Sequence, residues 1–200
     1  MADRRAAKRA GPARGRKPRA PRASPGGEAS ARRARRAPRS APARDAKPRI
    51  GVVDTTFSRV NMGAAALDEL AKRAAGEVIV ERVTVPGVKD LPAAARRFFD
   101  RGADLVIACG MVGPEDVDKT CGHEASLGLM WIRAALGKPL LEVFVHMDEV
   151  KTDKDLQWLA ESRTREHALN AVWMLLEPER LVEQAGTGQR QGFDDAGPIT

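Results

Sequence analysis

No apolar run in this 200-residue chain approaches the ~20 residues that a membrane-spanning helix needs. No charged segment leads into an apolar signal core, so the cytoplasm is the expected location. Cysteine is scarce: Cys109 and Cys121 are the only two, and they form no CxxC pair. Two reduced thiols are therefore expected, not a disulfide or a redox motif. Residues 1–49 contain no Val, Ile, Leu or Phe. That absence excludes a packed core there, because no apolar area is available to offset chain entropy.

What fills that segment is charge. Residues 1–49 hold 17 Lys/Arg and 3 Asp/Glu, a net +14 against +7 for the whole chain, so residues 50–200 carry −7. Residues 1–48 read as a disordered, Ala/Arg/Pro-rich basic tail. Such a tail would hold RNA or DNA loosely at low salt through counterion release. No aromatic interleaves its arginines, so it offers no stacking platform for single strands. A solvated, incidental extension, or a start codon assigned too far upstream, is the reading preferred to it.

A domain over residues 49–185 and a Gly-rich polar arm over 186–200 complete the chain. Ile50–Val53 reads as a short buried strand. Apolar positions at helical spacing follow from Met62 to about Ala75, with Gly76 placed to end the helix. Glu77–Val85 alternates as a second strand, and Pro92 opens a helix that stops at Gly102. Asp104–Cys109 is a third strand, breaking at Gly110 into a loop that runs to 122. A helix is expected over His123–Leu136, a fourth strand over Leu140–His146, and a long helix over Lys154–Leu176 capped by Asp153. Glu179–Gln184 would add a turn or two. Strands alternating with helices predict a four-stranded parallel sheet in a three-layer α/β sandwich of flavodoxin-like type. Trp131, Trp158 and Trp173 read as helix-packing residues, some of them facing a neighbouring subunit.

In such a fold the strand ends converge on one edge, and ligands bind there. The loops in question are 54–62, 85–92, 109–122 and 146–153. The first carries Thr55, Thr56 and Ser58 beside a helix start, but lacks the glycines that let backbone approach a pyrophosphate. Its Phe57 either packs in the core or offers a flat face to a ring. In the second, Pro86–Gly87 bares backbone amides and carbonyls beside Val88, Lys89 and Asp90. Those groups suit a polyol or a uracil-like edge, or else make a turn with a salt bridge. The third holds Gly110, Met111, Lys119, His123 and Glu124. Asp116, Asp118 and His123 could bind a metal there, although no ligand spacing requires it. His146 closes the fourth strand, and His167 sits mid-helix with Arg163 four residues earlier, the pattern of a surface or interface pair.

Five blocks then resemble the archaeal-type riboflavin synthases, in the same chain order: VVDTTFSRVNM, VTVPGVKDLPAAA, DKTCGHEASLGLM, EVFVHMDE and GQRQGFDDAGP. That family is related to 6,7-dimethyl-8-ribityllumazine synthase. The resemblance covers roughly residues 50–198 and leaves out the tail. It implies a ring of five lumazine synthase-like subunits with sites where neighbours meet, and magnesium as the cofactor. It also implies that two lumazines dismutate, one giving a four-carbon unit to the other to form riboflavin and a ribitylamino-uracil. Positioning two heterocycles face to face would carry much of that catalysis. Loss of a proton from a ring methyl group needs a base and a cationic stabiliser, for which His123, His146 and Lys119 are the candidates. Thr55, Thr56, Phe57, the Pro86–Asp90 loop, Gly110, Met111 and Glu124 would bind substrate. Gln189, Arg190 and Gln191 of the arm would complete a neighbour's site.

Lumazine synthase itself is the nearest rival. Its members usually place a histidine soon after the third strand's glycine, where this chain has Met111–Pro114. A non-enzymatic flavin or signalling module, with Asp54 as acceptor carboxylate, would need neither the arm nor the Pro86–Asp90 loop. An RNA-binding protein driven by the tail would need only residues 1–48.

Overall fold

The computed structural model describes residues 46–199. The basic tail expected over residues 1–48 therefore lies almost wholly outside the described residues. Four strands, β1 (Arg49–Thr55), β2 (Ile79–Val85), β3 (Leu105–Val112) and β4 (Leu140–His146), form one sheet in the order β2-β1-β3-β4. Every pairing is parallel, with Val53 opposite Val83 and Ala108, and Val112 opposite His146. Among the described residues four helices flank it, α1 (Met62–Arg73), α2 (Leu91–Asp100), α3 (Asp116–Leu136) and α4 (Asp153–Leu176), and a short α5 (Pro178–Glu183) packs on α4. Short 3-10 turns lie at Val88–Asp90 and Met147–Glu149. None of the described helices is long and apolar enough to cross a membrane.

The period-2 pattern of the strands separates two cores. Ile50, Val52, Leu105, Ile107, Met111, Val143 and Val145 pack with α1 and α4. Val53, Val106, Ala108 and Leu140 face Leu91, Phe98, Phe99, Leu129 and Ile132 of α2 and α3. β3 is buried on both faces along its whole length, which explains its unbroken apolar run. Gly51 admits Phe98: a methyl group at Gly51 would lie 2.6 Å from the ring. Gly137 ends α3 at φ 59°, a left-handed conformation in which glycine carries no steric penalty.

Several expectations are corrected. β3 does not break at Gly110 but continues to Val112, and α3 begins at Asp116 rather than His123. Only Gly113–Glu115 remains as loop. Gly110 serves space, not flexibility, because a methyl group there would sit 2.9 Å from both Phe144 and Val88. Thr152, not Asp153, caps α4: its side chain accepts the Asp155 N–H at 3.1 Å. Trp131 (69 % exposed) and Trp158 (58 %) point outward and are not packed in this subunit's core. His167 is no surface partner of Arg163, since its Nδ1 is buried without a hydrogen bond among the described residues.

Candidate active site

The carboxyl ends of β1, β2 and β3 open on a pocket of about 310 Å³. One wall is Phe57, carried by the loop after β1 and 56 % exposed. Pro86, Gly87, Val88 and Lys89 of the loop after β2 line the pocket next to that loop, together with the end of β3 and the first turns of α3. The two loops are joined. Thr56 N–H donates to the Val85 carbonyl at 2.9 Å, and its hydroxyl donates to the Pro86 carbonyl at 3.1 Å. Asp90 turns back on its own loop and accepts the Gly87 N–H at 3.3 Å.

Charge is placed around the rim. Lys89 Nζ donates to Glu124 Oε2 at 2.5 Å, and this hydrogen bond raises the lysine pKa and lowers that of the glutamate. Lys119 is likewise paired with Asp148 at 2.6 Å, which raises its pKa. A lysine held in this way stays cationic and is a poor base. Beneath the loop, Asp54 is 4 % exposed and is gripped by Arg82, with Nε at 3.1 Å, and by the Thr84 hydroxyl at 2.8 Å. Arg82 also reaches the Asn61 side chain, which caps α1. This buried pair fixes the base of the Phe57 loop to strand β2.

Of the substrate-binding residues expected from sequence, Phe57, Pro86, Gly87, Val88, Lys89 and Met111 line the pocket. Thr56, Asp90 and Glu124 support it from behind through the bonds above. Thr55 and Gly110 are buried in the ends of β1 and β3. His123 lies on the exposed side of α3, and His146 ends β4, where its N–H donates to Glu149 at 2.8 Å. Neither lines the pocket, and nor does Lys119. The arm folds along α4 of its own subunit. Gly192 N–H donates to Glu166 at 2.6 Å, and the Phe193 ring sits near the guanidinium groups of Arg163 and Arg190, at 5.4 and 4.8 Å. Gln189, Arg190 and Gln191 are therefore outside this subunit's pocket.

Val112, Gly113, Asp118 and Cys121 line the pocket within the 109–122 segment where a ligand is expected, although none of them is among the substrate-binding residues read from sequence. A signal was present: Asp118, Cys121 and Ala125 fall at helical spacing behind the acidic first turn 115–118.

The 6,7-dimethyl-8-ribityllumazine synthase family matches residues 47–179, the sheet together with α1 to α4. The chain belongs to this family. Within it, the riboflavin synthase of Methanothermobacter thermautotrophicus is 49% identical over 152 residues, covering 76% of this chain and 99% of that protein. The riboflavin synthase of Archaeoglobus fulgidus is 47% identical, with 76% and 98% covered. A 6,7-dimethyl-8-ribityllumazine synthase from Methanopyrus kandleri is 34% identical over 98 residues, 46% of this chain and 68% of that protein. Identity is thus higher, and coverage fuller, toward these riboflavin synthases. Among the described residues no three His, Cys, Asp or Glu side chains come together to hold a metal ion, so Asp116, Asp118 and His123 do not assemble the metal site considered from sequence.

Proposed function

We propose that this chain is a riboflavin synthase that dismutates two molecules of 6,7-dimethyl-8-ribityllumazine into riboflavin and 5-amino-6-(ribitylamino)uracil. The observation that carries the reading is similarity over 99% of the length of a riboflavin synthase, with three of the five resembling blocks supplying residues to the pocket. An exposed aromatic beside a Pro-Gly turn suits a flat heterocycle that carries a polyol chain. The ring would stack on Phe57, and the Val88 N–H would meet a ribityl hydroxyl, because Pro86 has no N–H and the Gly87 N–H is held by Asp90. Lys89, kept protonated by its bond to Glu124, is the one cation lining the pocket, and it would stabilise an anion delocalised over the ring.

One subunit offers about 310 Å³ of open pocket, little for two such molecules. This supports a site completed by a neighbour within a ring of five. Val117, Leu127, Met130 and Trp131 on the exposed side of α3 supply an apolar surface for such contacts. The arm, with Gln189 and Arg190 exposed, is the segment that would complete the neighbouring pocket. Magnesium, implied by the family resemblance, would be held by one or two carboxylates together with the substrate, since no three ligating side chains gather among the described residues.

The competing condensation by lumazine synthase joins a diaminouracil to a four-carbon phosphosugar. The two readings separate when purified protein is given lumazine alone. Riboflavin fluorescence is expected from lumazine by itself. A product that forms only from the diaminouracil and the phosphosugar would establish the condensing enzyme instead.

A further inference from the structure

Gly113 and Asp118 are shaped for one another. A methyl group on Gly113 would lie 2.2 Å from Asp118 Oδ2 and 2.7 Å from its Cγ. The carboxylate therefore rests against bare backbone, in space that only glycine leaves open. Gly113 and Asp118 both line the pocket, whose other walls are largely apolar: Phe57, Pro86, Val88 and Met111. Three titratable groups line it, namely Lys89, Asp118 and Cys121. Lys89 is occupied by Glu124. The Asp118 side chain makes no hydrogen bond or ion pair among the described residues. Its sequence neighbours are otherwise engaged: Lys119 holds Asp148, and the Thr120 hydroxyl donates to the Asp116 carbonyl. The histidines expected to act as base stand outside the pocket.

We infer that Asp118 is the base that removes the proton from the 7-methyl group of the bound lumazine. This inference rests on the dismutation reading. In the step, a C–H bond of the methyl group breaks and the proton passes to an Asp118 carboxylate oxygen. The electron pair is delocalised into the ring, on whose side the Lys89 ammonium lines the pocket. No oxidant or reductant is consumed. An unpaired carboxylate against a ring pocket has its lone pairs free for this transfer, whereas a lysine already bound to a carboxylate does not. Gly113 is a positioning residue: its missing side chain sets where the carboxylate sits.

The test separates proton removal from product formation. The full-length protein is incubated with lumazine in D2O, and loss of the 7-methyl proton signal is followed by NMR beside riboflavin fluorescence. The unaltered protein is expected to speed methyl exchange above the buffer rate. Asp118→Asn keeps the side-chain shape beside Gly113 and should lower exchange and kcat by about 10²–10⁴-fold with KM nearly unchanged. Gly113→Ala should also slow exchange, with its melting temperature close to that of the unaltered protein, and it serves as a second probe if Asp118→Asn does not fold. Methyl exchange at the unaltered rate in both variants would overturn the assignment. So would a rise in KM alone, which would make Asp118 a binding group. Exchange that depends on Asp118 but yields no riboflavin would support the base and contradict the dismutation, so the two claims fail separately.

Discussion

The Thr56 hydroxyl donates to the Pro86 carbonyl at 3.1 Å, and so pins the loop that carries Phe57 to the loop next to it. Both loops of the pocket thereby move as one piece. A solvent-facing hydrogen bond of this kind contributes about 1 kcal/mol. Thr56→Val should cost about that much in lumazine binding, a several-fold rise in KM, with little change in melting temperature. Steady-state kinetics beside thermal melts check it, and an unchanged KM would show that the pin is dispensable.

Phe57 spends its apolar area on solvent, not on the core. Phe57→Ala should therefore leave stability within about 0.5 kcal/mol. Loss of a stacking face costs about 1–3 kcal/mol for a flat base, so lumazine affinity should fall by about tenfold or more. Fluorescence titration measures it. A large drop in melting temperature with intact affinity would mean that Phe57 is structural.

Asp54 and Arg82 form the most deeply buried ion pair near the site. Removing one partner strands the other charge away from water. Arg82→Met should destabilise the domain by about 3–5 kcal/mol. Gly63→Ala should do harm at the same place, since its new methyl group would lie 2.5 Å from Arg82 Nε and Asp54 Oδ2. Urea denaturation of both variants checks this. Wild-type midpoints would show that the pair is relaxed by solvent.

His167 predicts a pH dependence. Burial first, and the nearby Arg163 charge second, push its pKa down from 6.5 to about 4. As pH falls below 6.5 the unfolded chain takes up a proton that the native state refuses until about pH 4, so stability is lost across that window. The contribution is intact above the window. Between about pH 7 and about pH 5 the loss should be about 2 kcal/mol from this group. Denaturation midpoints at the two values should converge in His167→Leu. Equal pH sensitivity in that variant would remove His167 as the cause.

The alternation of strands and helices was legible because local chemistry and global fold agree. β2 runs into Pro86 and β3 into Gly113, and Gly137 lies where a left-handed cap is needed. The start of α3 was not legible. Gly110 and Gly113 look like chain breakers in one dimension, yet each is small because a distant side chain, Phe144 or Asp118, occupies the space. That information is tertiary. The same limit hid the outward direction of Trp131 and Trp158, since apolar identity does not say which helix face is covered within one subunit. His167 could have been placed better, because it lies three residues after buried Thr164 and four before buried Ala171. Phe57 and the 86–89 turn were found because a strand-end aromatic and a Pro-Gly turn are unusual in their own local sequence.

The most direct measurement is a product balance on purified protein supplied with 6,7-dimethyl-8-ribityllumazine and no other substrate. Dismutation predicts that two lumazines disappear for each riboflavin, with one 5-amino-6-(ribitylamino)uracil released alongside it. No riboflavin from lumazine alone, with lumazine itself formed from the diaminouracil and a four-carbon phosphosugar, would contradict it.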